Sequence, residues 1–186
     1  DDLAQQLWHA RCTGGVVDAA RVSLPTTLGD AYAIQARVAE LAGAREVGFK
    51  IGSTSLEAQR HLGTTEPGSA ALLEPFVHKS PAHVPISSLH MPAVEGEFAF
   101  RLGRALPPQQ PLYSREDVAD AVEAVAGAIE VVGTRFAGGL SGKGRLLTTA
   151  DGGVNIALVT GPWFGDWRRL DLVGHRVTMR INGRQA

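Results

Sequence analysis

The sequence has little of several features that mark particular classes of protein. It contains one cysteine in 186 residues, Cys12, which excludes an intrachain disulfide framework and a multi-cysteine zinc site. The formal net charge is −1, and no basic run is interleaved with aromatic residues, so we expect no electrostatic attraction to nucleic acid or to a membrane surface. No apolar run approaches the roughly 20 residues of a membrane-spanning helix.

Signals for targeting and for several common active sites are also missing. The first residues are acidic and amphipathic, unlike the basic-then-apolar pattern of a signal peptide, so a cytoplasmic protein is expected. There is no G-x-S-x-G elbow and no H-E-x-x-H motif. Around Lys143 a phosphate loop is excluded, because Ala137 stands at the first glycine position and Gly144 replaces the Ser or Thr. The six histidines lack metal-ligand spacing, and His90 is expected at the surface.

The remaining pattern predicts an α+β fold with two regions. Residues 1–45 are predicted to form an N-terminal helical region, with helices over 1–11 and 27–43, and residues 46–186 are predicted to form a β-rich domain. Further helices are predicted at 55–63 and 114–127, and strands at 46–52, 91–103, 128–136, 155–161 and 174–183. Regular alternation of strands and helices is absent after residue 46, which argues against a doubly wound sheet.

The end of the sequence carries a strong turn signal. Asn182-Gly183 is typical of a type I′ hairpin, which needs a return strand. Only three residues follow it, fewer than the five or six of an average strand. We therefore expect that the chain is truncated at its C-terminus and that the β-rich domain is incomplete.

Two acids in an apolar strand are the first candidate site residues. Glu95 and Glu97, in "VEGEFAF", are two positions apart, so on a strand they share a face with Cα atoms roughly 6.5–7 Å apart. Two anions on one face repel each other unless the face is solvated or a cation lies between them. Spacing alone favours the solvated side of an amphipathic strand.

A third acid and a lysine bear on that choice. Glu130 lies among apolar residues in "AIEVV", where a buried carboxylate needs either a metal or an ion pair with Arg or Lys. Three carboxylates on neighbouring strands would suit Mg²⁺ or Mn²⁺. Lys50 lies in a strand between Gly48 and Gly52, which leave room for a ligand. It is either a proton-transferring residue beside such a site or a surface lysine.

These segments together resemble a known family. "VGFKIGSTSLEAQRHLG", "VEGEFAF", "AIEVVGTRF" and "TADGGVNIALVTG" occur in the order found in the 2-keto-4-pentenoate hydratase family of the fumarylacetoacetate hydrolase superfamily. "DAYAIQ" in the second predicted helix is similar as well, so the resemblance covers roughly residues 28 to 183.

The resemblance implies a fold, a cofactor and an activity. It implies a mixed β-roll behind an N-terminal helical region, and Mg²⁺ or Mn²⁺ held by Glu95, Glu97 and Glu130, with Lys50 as the catalytic residue. The family adds water to 2-hydroxy-2,4-dienoates to give 4-hydroxy-2-oxo acids in the meta-cleavage degradation of aromatics. The small 2-oxo or 2-hydroxydienoic acid is the expected partner, together with other copies of the chain in a homo-oligomer.

Substrate-binding residues are expected next to these positions. Candidates for contact with the substrate carboxylate are Ser53, Thr54 and Ser55, which follow the lysine strand. Asp151 in "TADGG" is a further candidate substrate-binding residue.

The chain also departs from the family pattern. Gly68 and Ser69 replace an acid and an aromatic residue, and Gly133-Thr134 replaces Asp-Ser. "A-D-N" becomes Ala150-Asp151-Gly152. Three alternatives therefore stay open: a 4-oxalocrotonate decarboxylase, a carbon–carbon bond hydrolase of the same superfamily, and a non-catalytic paralogue that binds a small acid.

Overall fold

A computed structural model of the chain describes residues 2–185; Asp1, with which the first predicted helix begins, and Ala186 lie outside the described residues. The described α-helices are α1 (Leu3–Thr13), α2 (Leu28–Ala42), α3 (Leu56–Leu62), α4 (Arg115–Ala121) and α5 (Gly144–Ala150). Short 3₁₀ helices cover Ala19–Arg21, Glu74–Phe76, Ser88–His90, Gly152–Val154 and Trp167–Arg169. Among the described residues, no helix has the length and apolar character needed to cross a membrane.

Strands alternate irregularly with these helices. They are β1 (Glu46–Gly52), β2 (Gly68–Leu73), β3 (Val77–Lys79), β4 (Ala93–Leu102), β5 (Val122–Val132), β6 (Asn155–Thr160), β7 (Arg180–Ile181) and β8 (Arg184–Gln185). The chain thus mixes helices and sheets, as predicted from the sequence.

Capping side chains determine where the predicted helices begin. At the start of α2 the Thr27 side chain accepts a hydrogen bond from the Asp30 amide, and the Asp30 carboxylate accepts one from the Thr27 amide. Ser114 and Asp117 form the same reciprocal pair at the start of α4, as predicted. Such pairs satisfy amides that lack a partner within the helix. The C-terminus of α2 is closed by Gly43, which adopts the left-handed conformation that glycine tolerates.

The helix predicted over 114–127 is wrong in its second half. Helix α4 ends at Ala121, and the chain continues from Val122 as the eleven-residue strand β5, paired with β4. This segment is rich in valine and isoleucine, whose branched side chains favour a strand. Pairing with a long neighbouring strand therefore outweighs the helical spacing of a few apolar positions.

Two smaller differences occur nearer the C-terminus. Helix α5 begins at Gly144, inside a segment predicted as a loop, and of the strand predicted over 174–183 only Arg180–Ile181 pairs. The turn at Asn182-Gly183 forms as predicted, with φ values of +52° and +78°, and joins β7 to β8.

One apolar cluster connects the N-terminal helices to the strands. Its buried members are Leu3, Leu7, Ala10, Val17 and Phe136. Phe136 follows β5 and has no exposed surface, so residues on both sides of position 45 share this core. His90 is also buried, with its Nε2 atom 2.7 Å from the carbonyl oxygen of Gly15. The predicted surface location of His90 is therefore wrong, because the N-terminal segment covers the loop that carries it.

The larger sheet brings acids from neighbouring strands side by side. Its strand order is β3-β6-β5-β4, with β3 parallel to β6 and the other neighbours antiparallel. Glu95 of β4 lies directly opposite Glu130 of β5, which lies opposite Leu158 of β6. Because directly opposite residues point to the same face, and Glu97 is two residues from Glu95, all three glutamates project from one face.

Strand β1 pairs with β2 and turns its apolar side chains outward. Phe49 and Ile51 are 64% and 53% exposed, whereas the side chain of Lys50 between them is 12% exposed. The predicted alternation is present, but the lysine occupies the inward face. A charged group in that position requires a partner.

Candidate metal centre

Three carboxylates converge on the inward face of the larger sheet. One oxygen atom from each of Glu95, Glu97 and Glu130 lies within 4.8 Å of the others. Glu130 is 2% exposed, while Glu95 and Glu97 are open to solvent. The set offers hard oxygen donors on rigid strands and keeps one side accessible. Mg²⁺ takes such donors and usually retains water or substrate at its remaining positions.

The electrostatics of the cluster favour a bound cation. Burial raises the pKa of Glu97, and the neighbouring charges of Glu130 and Glu95 raise it further, against the opposing effect of Lys50. Burial also raises the pKa of Glu130, against the lowering effects of Lys50 and of a hydrogen bond from Asn155. Three carboxylates beside one ammonium group leave negative charge unbalanced. The residues present therefore fit a divalent cation.

Lys50 is the cation that contacts this cluster. Its Nζ atom lies 3.3 Å from Oε2 of Glu130, and the two side chains are 12% and 3% exposed. The sequence suggested either a metal or an ion pair as the partner of Glu130, and the structure shows the ion pair together with the carboxylate cluster. Of the two glycines that flank the lysine, Gly52 makes room for the lysine itself, since a Cβ there would lie 3.3 Å from Nζ, whereas a Cβ at Gly48 would meet Leu72 at 3.9 Å. Gly153 also leaves room for the lysine, since a Cβ there would lie 3.1 Å from Cδ.

Asn155 completes the surroundings of Glu130 and was not predicted as a site residue. Its Nδ2 atom donates to Oε1 of Glu130 at 2.8 Å. The register between β5 and β6 shifts by one residue at this point, so that Asn155 lies opposite Val132. Strict alternation from Leu158 would place residue 155 on the other face, whereas the bulge returns it to the glutamate face. Sequence periodicity gave no signal for this.

The three hydroxyl residues after β1 have different surroundings. Ser53 adopts φ +57° and its carbonyl oxygen accepts a hydrogen bond from Nε2 of Gln59 at 3.0 Å. The hydroxyl of Ser55 accepts the Ala58 amide at 3.1 Å as the N-cap of α3. Thr54 is exposed between them. The strand that carries Lys50 thus leads directly into a turn whose hydroxyl groups lie at the end of β1.

Asp151 belongs to a buried polar network. One of its carboxylate oxygens accepts hydrogen bonds from the Thr134 hydroxyl at 2.7 Å and the Arg135 amide at 2.9 Å. The other is paired with Nε of Arg135 at 2.5 Å. Asp151 is 3% exposed, so its carboxylate is already satisfied by protein groups. It fixes the segment that leads from α5 to Asn155.

Two departures from the family pattern have visible packing consequences. The guanidinium of Arg145 occupies the position that a Cβ at Gly68 would take, and its Nη2 atom donates to the carbonyl oxygen of Pro67 at 2.7 Å. A Cβ at Gly133 would lie 2.8 Å from the carbonyl oxygen of His90, so that site admits only glycine without movement of the backbone.

Comparison with characterised proteins adds a relationship that the geometry alone does not give. The chain is 39% identical over 142 residues to a 2-keto-4-pentenoate hydratase of Paraburkholderia xenovorans strain LB400, an alignment that covers 74% of this chain and 52% of that enzyme. It is 34% identical over 166 residues to a 2-hydroxyhexa-2,4-dienoate hydratase of Comamonas testosteroni, covering 86% of this chain and 61% of that enzyme. The chain thus spans little more than half the length of the curated relatives it matches. No protein-family model matches the sequence.

Solved structures share the fold. A 4-oxalocrotonate decarboxylase from Pseudomonas putida G7, complexed with calcium and acetate, superposes with a TM-score of 0.82 at 23% identity, covering 99% of this chain and 70% of that one. The same enzyme complexed with magnesium and adipate gives a TM-score of 0.76, covering 91% and 65% of the two chains. The resemblance read from the sequence motifs is confirmed.

Proposed function

Because the chain is similar to 2-keto-4-pentenoate hydratases over 74% of its length, we propose that it carries the catalytic centre of a metal-dependent hydro-lyase. The reaction adds water to a 2-hydroxy-2,4-dienoate and yields a 4-hydroxy-2-oxo acid, a step of aromatic meta-cleavage catabolism. The observation that carries this proposal is the convergence of three carboxylates with Lys50 packed against one of them.

The proposed cofactor is Mg²⁺ or Mn²⁺, held by Glu95, Glu97 and Glu130. A cation held by these three carboxylates would supply Lewis-acid stabilisation to the enolate form of a 2-oxo acid. Donors on two adjacent, hydrogen-bonded strands keep their spacing without reorganisation, since Glu95 and Glu130 are direct neighbours in the sheet.

Lys50 is proposed as the group that moves the proton. The dienol takes up a proton at its terminal carbon and loses its hydroxyl proton, a tautomerisation that gives an enone with no net change in protons. Water then adds its hydroxyl group to the β-carbon and a proton to the α-carbon. An ammonium group held 3.3 Å from Glu130 Oε2 is fixed beside the cluster and can deliver the proton that the terminal carbon takes up. Ser53 and Thr54, at the end of the same strand, are proposed to contact the substrate carboxylate, with Ser55 and Asp151 shaping the loops around it.

Three further features are proposed from the same relationship. The described strands belong to a mixed β-roll, with residues 1–45 as its helical region and 46–186 as the catalytic part. The protein assembles into homo-oligomers, which light scattering coupled to size-exclusion chromatography would measure.

Substrate turnover tests the reaction. The ultraviolet absorbance of 2-hydroxypenta-2,4-dienoate should decay when the protein and Mg²⁺ or Mn²⁺ are both present, with 4-hydroxy-2-oxopentanoate as the product. Release of carbon dioxide from 4-oxalocrotonate, without decay of the dienoate, would indicate a decarboxylase of the same superfamily instead of a hydratase. Absence of both would contradict the proposed activity.

Calorimetric titration with Mg²⁺ or Mn²⁺ tests the metal site separately from turnover. Glu97→Ala should weaken or abolish binding, because it removes one of three oxygen donors. Glu116→Ala, which changes an acid in the first turn of α4, is the matched control and should bind as the unmodified protein does. Equal metal affinity in all three proteins would show that Glu97 is not a metal ligand.

A further inference from the structure

We propose that Asn155 and Arg11 are positioning residues for the metal ligand Glu130. Arg11 holds the backbone of Asn155, and the side chain of Asn155 holds the carboxylate of Glu130. This inference rests on the proposed metal site and extends it to the C-terminal end of helix α1, which belongs to the N-terminal helical region.

The first link fixes the plane of the Glu130 carboxylate. Asn155 donates to Oε1 at 2.8 Å while Lys50 contacts Oε2 at 3.3 Å, so each oxygen has a different partner. Groups that hydrogen-bond a metal ligand set its orientation, and their loss typically weakens metal binding about 10- to 100-fold. Asn155 is 5% exposed, so no water can easily replace its amide.

The second link fixes Asn155 itself. Arg11 donates from Nη1 to the Asn155 carbonyl oxygen at 2.6 Å and from Nη2 to the Ile156 carbonyl oxygen at 2.7 Å. The guanidinium lies 3.8 Å from the centroid of the Phe76 ring, which holds it in place. Arg135 adds a further hydrogen bond to the Asn155 carbonyl at 2.9 Å. Two guanidinium groups thus converge on one backbone oxygen.

The backbone before Asn155 explains why such restraint is needed. Gly152, Gly153 and Val154 have φ values of +61°, +60° and +58°, three consecutive left-handed residues. Valine is disfavoured there by roughly 1–2 kcal/mol, and such conformations persist only where surrounding contacts enforce them. The bulge that returns Asn155 to the glutamate face follows immediately. The two arginines therefore stabilise a backbone path that would otherwise relax and withdraw the amide.

A double-mutant cycle on metal affinity tests whether Arg11 acts on Glu130 through Asn155. Asn155→Leu keeps the side-chain size and removes the amide donor, and Arg11→Met removes the guanidinium and keeps an unbranched chain. We expect each to weaken Mg²⁺ or Mn²⁺ binding about tenfold in calorimetric titration. Because Arg11 acts through Asn155, adding Arg11→Met to Asn155→Leu should give no further loss. Arg11→Lys, which can reach only one carbonyl, should lie between Arg11→Met and the unmodified protein.

Lys143→Met is the matched control, since it also removes a cation that donates to a backbone carbonyl, that of Ala137 at 2.9 Å. It should leave metal affinity unchanged. Unchanged metal affinity in Asn155→Leu, or additive losses of metal affinity in the double variant, would overturn the proposed positioning role of Asn155 and Arg11 while leaving the metal site intact. Failure of the unmodified protein to bind either metal would instead contradict the metal site of the proposed function. Circular dichroism of each variant verifies that the titrated protein is folded.

Discussion

The ion pair between Lys50 and Glu130 gives a stability prediction with a defined pH dependence. Lys50→Met keeps the aliphatic chain and removes the ammonium group. Among the described residues, Glu130, which is 2% exposed, then retains only the Asn155 amide as a partner. Breaking a buried ion pair in this way typically costs about 3–5 kcal/mol.

Protonation of Glu130 limits that cost. At pH 7, protonating a glutamate of ordinary pKa costs about 3.5 kcal/mol. Burial raises the pKa of Glu130 above the ordinary value, so the cost of protonating Glu130 is smaller. We therefore expect Lys50→Met to lose less than about 3.5 kcal/mol of unfolding free energy at pH 7 without metal. A carboxyl group whose pKa is raised in the folded state stabilises the protein below its unfolded pKa, and this contribution is lost as the pH rises. The deficit should thus shrink towards pH 5, by up to about 1.4 kcal/mol per pH unit.

Urea denaturation of both proteins between pH 5 and pH 7.5, with a chelator present, measures the deficit. Lys79→Met, at the exposed end of β3, is the control and should change the unfolding free energy by less than about 0.5 kcal/mol. Mg²⁺ at about 100 times its Kd should raise the unfolding free energy of any protein that binds it by about 2.7 kcal/mol. A Lys50→Met deficit that is absent, or that does not vary with pH, would refute the assignment of Lys50 as the buried partner of Glu130.

Other consequences concern the same face and the loop behind it. Because the pKa values of Glu97 and Glu130 are raised, protons compete with the metal for these carboxylates. As the pH is lowered from 7.5 to 5.5, the metal affinity should therefore fall and the number of protons released on binding should grow. Calorimetry in buffers of different ionisation enthalpy measures both quantities, and a metal affinity that does not change with pH would contradict the expectation. Asp151→Asn should cost about 3–5 kcal/mol in urea denaturation, because it leaves the buried guanidinium of Arg135 without its counter-charge, and unchanged stability would show that the pair is dispensable. Val154→Gly should raise the unfolding free energy by about 1 kcal/mol through relief of a positive φ, whereas Val154→Ala should give no such gain; equal effects would argue against strain at that residue.

Local sequence patterns predicted the parts of the fold that neighbouring residues decide. Helix α2 begins at its capping pair and ends at Gly43, and Asn182-Gly183 makes its turn, because these features depend on hydrogen bonds within a few residues. The same holds for the spacing of Glu95 and Glu97, since alternation along one strand fixes that they share a face.

The candidate site depends on what lies across the sheets. Pairing with β4 turned the second half of a predicted helix into β5 and placed Glu130 opposite Glu95. The packing of β1 turned Lys50 inward towards Glu130. Neither relation is encoded within a window of neighbouring residues, because register and face are set by contacts distant in sequence.

Asn155 shows the same limit most sharply. By alternation it belongs to the face opposite the glutamates, and only the bulge at the start of β6 brings it to Glu130. The sequence by itself determined that this chain has acids and a lysine on strands, in the order of a hydratase family. The tertiary structure decided which of them meet, because strand pairing placed Glu130 opposite Glu95 and the packing of β1 turned Lys50 towards Glu130.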